Sequence, residues 1–172
     1  VEENTMNAEA QRWIDVLCLQ PHPEGGYYRE TYRSTLRLMG CCLTEHHAPR
    51  VAATLIYFLL PGDQFSALHR LRSDEMWHFY AGSPLTLHII HPEGHLTQVK
   101  LGSRADHGET FQAVVKAGCW FGATVEDPDG YALVGCTVAP GFEFDDLELG
   151  QRQQLIERYP QHRDLIERLT RA

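Results

Sequence analysis

The sequence predicts a mainly β protein, a double-stranded jelly roll with a helix before it and short helices after it. Strand-forming segments recur about every ten residues from 51 to 138, the rhythm of an antiparallel barrel or sandwich. Gly, Pro and Asp turn chemistry separates them. Helical periodicity is confined to the two ends, 7–19 and 150–170.

Residues 7–19 read as a helix because Trp13, Ile14, Val16, Leu17 and Leu19 cluster along one side. Asn7 suits its cap, and Pro21 and Pro23 stop it. Residues 27–33 alternate aromatic with charged side chains and read as a strand, entered through Gly25-Gly26. Residues 35–50 read as a loop or irregular hairpin. Strands follow at 51–60, 85–91, 96–101, 111–115, 119–125 and 131–138, with two more inside 61–82. Turns fall at Pro61-Gly62, Gly82-Ser83-Pro84, Pro92-Glu93-Gly94, Ala117-Gly118 and Asp127-Pro128-Asp129-Gly130. After Pro140-Gly141 an acidic, aromatic stretch leads into short helices near 150–158 and 160–170, Pro160 suiting the first turn of the second.

At 172 residues the prior is one domain spanning 1–172, with a barrel core at roughly 27–138. A net charge of −8, with no run of Lys or Arg, argues against nucleic acid and anionic membrane as partners. No apolar run approaches the ~18 residues of a membrane span. The acidic first residues do not read as a secretory signal. Five Cys residues form no CxxC pair, so a disulfide framework is not expected and a reducing cytoplasm fits best.

The stretch PGDQFSALHRLRSDEMWHFYAG, 61–82, concentrates the candidate chemistry. Strand alternation puts His69 and Leu71 on one face. After a turn at 72–74, Glu75, Trp77 and Phe79 share a face on the returning strand, so a hairpin would bring His69 and Glu75 together over one interior.

This stretch resembles the first motif of the cupin superfamily. The series Gly62, His69, Leu71, Glu75, Gly82 follows the spacing of the motif, with one extra residue after the first Gly and with Leu71 where the second His stands. HPEGGYYRETYRS at 22–34, LHRLRSDEMWHFYAG at 68–82 and APGFEFDDLELG at 139–150 are similar to the signatures of one branch, small cupin-like proteins catalogued as predicted sugar epimerases. The resemblance covers roughly residues 10–150 and implies a cupin-type jelly roll and a homodimer. The second cupin motif is matched at Gly118, but Phe121 stands at its His and Val125 at its Asn. Two of four metal-ligand positions are thus apolar. His69 and Glu75 alone form an incomplete shell, so no cofactor is expected beyond an adventitious or weak divalent metal. Strict alternation sends His78 to the opposite face unless a bulge turns it inward.

Without metal, a carboxylate beside His69 would fix its tautomer and raise its basicity, as a base next to a carbonyl requires. Resemblance to the nucleotide-sugar 3,5-epimerases implies His69 as base and a Tyr as acid, open among Tyr28, Tyr57, Tyr80 and Tyr131. Tyr28, Arg29 and Glu30 are similar to the strand that closes the epimerase pocket, and Trp77 and Trp120 offer flat walls for a ligand. Core packing is the alternative fate of each aromatic, and a solvated face that of Arg70 and Arg72. His88, His91 and His95 surround an exposed-looking turn, none with the ligand spacing of a metal motif, and Cys119 reads as an inert core cysteine. The expected function is binding of a small, sugar-like or keto-bearing molecule, with or without metal-independent epimerase chemistry. A metal-dependent enzyme is the third reading.

Overall fold

In the computed structural model, which describes residues 6–39, 46 and 48–171, two antiparallel sheets face each other. The strands are β1 (Gln20–Pro21), β2 (Tyr27–Arg33), β3 (Arg37–Leu38), β4 (Arg50–Val51), β5 (Thr54–Pro61), β6 (Phe65–Arg70), β7 (Asp74–Gly82), β8 (Leu85–Ile90), β9 (Leu96–Leu101), β10 (Gln112–Val115), β11 (Trp120–Val125), β12 (Tyr131–Ala139) and β13 (Glu148–Leu149). One sheet runs β1-β2-β5-β12-β7-β10 and the other β13-β6-β11-β8-β9. The mainly β jelly roll read from the sequence is the observed architecture.

β6 and β7 are not a hairpin. They belong to opposite sheets, so the turn at 71–73 is a corner of the sandwich. His69 and Glu75 therefore reach the interior from facing sheets rather than from neighbouring strands. β3 pairs with β4, which gives residues 37–38 and 50–51 a place. The rest of the unassigned segment, 40–45 and 47, lies outside the described residues.

Alternation sorts the side chains into layers. Between the sheets lie Phe58, Leu60, Leu71, Trp77, Leu87, Ile89, Phe121, Val134 and Cys136. Their alternate neighbours face outward and bury helices. Leu59 and Leu133 meet Ala10 and Ile14 of α1 (Ala8–Val16), while Leu68, Ile90 and Trp120 meet α2 (Arg152–Arg158) and α3 (Arg163–Arg168). Asn7 caps α1, its Oδ1 accepting from the N–H groups of Glu9 and Ala10 at 2.9 and 3.2 Å. The helix ends at Val16, ahead of the two prolines, with Cys18 at φ 52.

Two bulges break the alternation. On β2 the register slips between Glu30 and Tyr32, so Tyr28, Glu30 and Arg33 share the inner face. On β6, Phe121 and Ala123 oppose His69 and Ser66, leaving one extra residue in β6. Ser66 and His69 consequently both point inward. The bulge crowds β11, where a Cβ on Gly122 would stand 2.7 Å from the Ser66 carbonyl oxygen.

The segment after β12 is held by a buried ion pair. Arg50 Nε and Nη2 donate to Asp146 Oδ2 and Oδ1 at 2.6 and 2.7 Å, and both side chains are under a tenth exposed. Removing one partner strands the other charge, which costs about 3–5 kcal/mol. The pair of Lys116 with Asp74, at 2.8 Å, lies in solvent, where screening and side-chain entropy leave it little effect. Denaturant unfolding of Asp146→Ala is therefore expected to show a loss of about 3 kcal/mol or more, and that of Lys116→Ala no resolvable change.

Candidate active site

The central cavity, about 290 Å³, opens between the sheets and is lined by His22, Glu24, His69, Leu71, Glu75 and Cys136 in its depth. Tyr28, Glu30, Arg33, Glu143 and Phe144 also line it.

Glu24 is the residue that the sequence reading passed over. It sits in the turn before β2, where the Gly25 N–H donates to the His22 carbonyl at 3.0 Å. Gly25 has φ +113, and a Cβ there would meet the Phe65 carbonyl oxygen at 2.3 Å, so glycine lets this turn press against β6. The Glu24 carbonyl then accepts the Ala67 N–H at 2.8 Å, and its carboxyl enters the cavity beneath the β6 bulge. Ser66 Oγ donates to Glu24 Oε1 at 3.0 Å, and His69 Nε2 lies 3.1 Å from Oε2.

His69 is 2% exposed and packs against the ring of Phe121, with centroids 4.1 Å apart. Its Nδ1 is 2.7 Å from the Ala67 carbonyl oxygen, an acceptor only, so Nδ1 carries a proton. The expected partnership with Glu75 is thus corrected: a backbone carbonyl fixes the tautomer, and the carboxyl facing Nε2 is Glu24. Burial drives the His69 pKa down to about 4, opposed by the bond to Ala67. Burial raises that of Glu24, opposed by His22 and Ser66. Both directions favour a neutral pair, with one proton held by Glu24 against Nε2.

Glu75 enters from β7. Its Oε2 accepts the Trp77 indole N–H at 3.0 Å. Burial, reinforced by the nearby Glu24 carboxyl, lifts its pKa to about 8 against the Trp77 bond. Burial together with Glu75 and Glu24 also holds the Cys136 thiol well above its ordinary value, so it is no nucleophile at neutral pH. Nearer solvent, Arg33 donates Nε and Nη2 to Glu30 at 2.9 and 2.8 Å and Nη1 to Glu143 at 2.7 Å.

The other expected pocket residues are dispersed. Tyr28 and Glu30 line the cavity, and Trp77 lies behind Glu75 in the core. Arg29 and Tyr57 are on the outer face, the guanidinium 5.9 Å from the Tyr57 ring centroid. His78 faces outward too, with Nε2 3.3 Å from Thr137 Oγ1. Trp120 lies under α2 and α3 with Arg70 over its ring, because Phe121 next to it takes the inward position. Of the four Tyr residues considered as acid, only Tyr28 lines the cavity.

At two of the cupin ligand positions Leu71 and Phe121 offer no lone pair, so the donors lining the cavity are His69 and Glu75 of the motif together with His22 and Glu24 from outside it.

Facing antiparallel sheets around a cavity that takes its His and Glu from a first-motif stretch define a cupin. The chain belongs to the cupin superfamily family described as DUF985, whose family model matches residues 11–150. It is similar to the crystal structure of protein SO0799 from Shewanella oneidensis, at 43% identity and TM-score 0.84 over 97% of this chain and 99% of that one. It is also similar to a hypothetical protein from Leishmania major, at 39% identity and TM-score 0.85 over 95% and 99% of the two chains. Protein YML079W of Saccharomyces cerevisiae is 28% identical over 145 residues, 79% of this chain and 72% of that protein.

The cavity makes stability depend on pH with a definite sign. Glu75 has a folded pKa of about 8, above its ordinary 4.5, so the unfolded chain loses this proton first. Stability falls as pH rises from about 4.5 to 8 on this account. His69, at about 4 against 6.5, adds a loss of stability as pH falls through that window, and His88 has the same sign. His22 shares that direction and Glu24 that of Glu75, so the limb from pH 6.5 to 8 separates the two carboxyls from the histidines. Chemical denaturation across that limb is expected to show the decline flattened in Glu75→Gln, whose amide can still accept the Trp77 N–H. Between pH 6.5 and 8.5 the parent should lose roughly 2 kcal/mol that this variant keeps.

Proposed function

We propose that the cavity binds a small, uncharged sugar-like or keto-bearing molecule and moves a proton on it without a metal, in the manner of an epimerase or isomerase. One observation carries the reading: two buried carboxyls and an imidazole line one hollow, each shifted by burial toward its neutral form.

The roles follow from the pKa directions. His69 is a weak base at neutral pH, since its Nδ1–H is committed to Ala67 and its Nε2 faces Glu24. Glu75 is better matched as proton acceptor, because a base with a pKa of about 8 is both strong and partly ionised near neutrality. The Glu24–His69 pair then holds the second proton and donates toward oxygen as charge develops there. Ligand class follows from charge. Arg33 is the permanent cation among the described lining residues, and Glu30 and Glu143 already saturate it. A diphosphate would meet carboxyls rather than free guanidinium groups, so the reading favours a neutral monosaccharide-sized ligand over a nucleotide sugar.

The second reading is a metabolite-binding protein without turnover. It is favoured by the completeness of the hydrogen bonding, for no buried side-chain polar atom lacks a partner among the described residues. Incubation with neutral ketoses in heavy water separates the two. Carbon-bound deuterium should appear, at a rate rising with pH up to about 8, and Glu75→Gln should cut it by about 10²–10⁴. Glu24→Gln should shift the rise to lower pH, since the Glu24 carboxyl helps to raise the Glu75 pKa. Saturable binding with no exchange would favour the second reading.

The proposal extends to a homodimer. Beyond Tyr28 the outer edge of β2 carries no partner strand among the described residues, β1 covering only Tyr27 and Tyr28, and Glu30 to Arg33 are exposed there. A second copy would cover that edge beside the mouth of the cavity. Light scattering at micromolar concentration is expected to give twice the 19.6 kDa chain mass; a monomer would remove this part of the proposal.

A further inference from the structure

The tetrapeptide His-Pro-Glu-Gly occurs twice, at 22–25 and at 91–94. Both copies form the same turn, the Gly N–H donating to the His carbonyl at 3.0 Å in the first and 2.8 Å in the second. The first delivers Glu24 to the cavity. The second joins β8 to β9 at the surface, and His95 follows it. In sequence this turn showed no ligand spacing, because a hairpin rather than a helix brings its donors together.

We infer that the turn at 91–95 is a site for a zinc-like divalent transition cation, with His91, Glu93 and His95 as its protein ligands. One donor atom from each lies within 4.8 Å of the others. The cross-strand pairing of β8 with β9 continues into His91 and His95, whose rings stack with centroids 3.8 Å apart and planes at 12°. Glu93 Oε1 is 3.5 Å from His95 Nδ1. Zinc–ligand distances of about 2.0–2.2 Å put tetrahedral donors about 3.5 Å apart. Closing on an ion therefore needs only rotation of Glu93 and His95, whose side chains are more than half exposed.

Three features prepare the site. The Nε2 of His91 is 3.0 Å from Thr97 Oγ1, so an Nε2–H donated to Thr97 leaves on Nδ1 a lone pair that now faces only the weak donor Cys119 Sγ at 3.7 Å, which an ion would displace. The turn is clamped from behind: Tyr159 Oη–H donates to the Pro92 carbonyl at 3.4 Å, and Gln161 Nε2 and His162 Nε2 to the Gly94 carbonyl at 3.0 and 2.9 Å. The backbone is thus ordered before an ion arrives, which reduces the entropy lost on binding. The donor set selects the metal. Two imidazoles and a carboxylate suit zinc, nickel or copper, whereas calcium and magnesium want oxygen throughout. None of these residues lines the central cavity, so the site is independent of the proton chemistry proposed there.

Calorimetric titration of tag-free, chelator-treated protein with zinc chloride tests the inference. One equivalent should bind with a Kd in the micromolar range. Glu93→Gln and His95→Ala, at exposed positions that leave the fold intact by thermal melting, should each weaken binding at least tenfold. Glu75→Gln, in the cavity, should leave the affinity unchanged. Absence of saturable binding, binding indifferent to His95→Ala, or binding lost in Glu75→Gln would each overturn it.

Discussion

The carboxyl of Glu24 is the wedge on which the site is built. It arrives from a turn outside both sheets, and its residue makes three bonds to one bulged segment of β6: carbonyl to Ala67 N–H, one carboxyl oxygen to Ser66, the other to His69. Each bond needs the extra residue in β6. A regular strand would send Ser66 and His69 to opposite faces, and the Ala67 N–H would be drawn into the sheet. Gly25 and Gly122 are the steric conditions of this arrangement, one letting the turn approach β6 and the other letting β11 pass the bulge. Fold and site are therefore one constraint here. Change the bulge and the imidazole leaves the cavity.

From that wedge the electrostatics follow. Placing a second carboxyl, Glu75, in the same enclosed space makes simultaneous ionisation costly, since each charge is desolvated and repelled by the other. Protons are held where water would have released them. The tight Arg33–Glu30–Glu143 cluster lies close to the mouth and leaves little cationic attraction for an anionic guest. This is the ground on which the proposed function prefers hydroxyl and carbonyl groups to phosphates as guests of the cavity.

Much of the architecture was legible because alternation and turn chemistry are local. β2 spans the predicted 27–33 and β9 the predicted 96–101, and α1 takes its cap at Asn7 as read. His69 and Glu75 were legible as inward-facing residues for the same reason. What failed was non-local. Two consecutive strands joined by a short turn read as a hairpin, yet in a jelly roll they pass to opposite sheets, which sequence spacing does not encode. Glu24 was hidden because it precedes its strand and gains its meaning from a bulge 40 residues on. Arg33 was hidden in the same way, moved onto the cavity face by the slip after Glu30. Trp120 was readable and misread: once Phe121 is assigned inward, its neighbour must face out.

The two ligand positions that turned apolar explain why the remaining polar groups behave as they do. In a cupin cage a divalent cation offsets the charge of buried carboxylates and lets them stay ionised. With Leu71 and Phe121 in place of imidazoles, two of the four ligand positions offer no donor to such an ion. The charge of Glu24 and Glu75 must then be removed some other way, and the cheapest is protonation. Phe121 deepens the effect, since its ring against His69 dries the imidazole and lowers its affinity for a proton of its own. The apolar ligand positions and the proton-holding carboxyls thus belong to one and the same cavity wall.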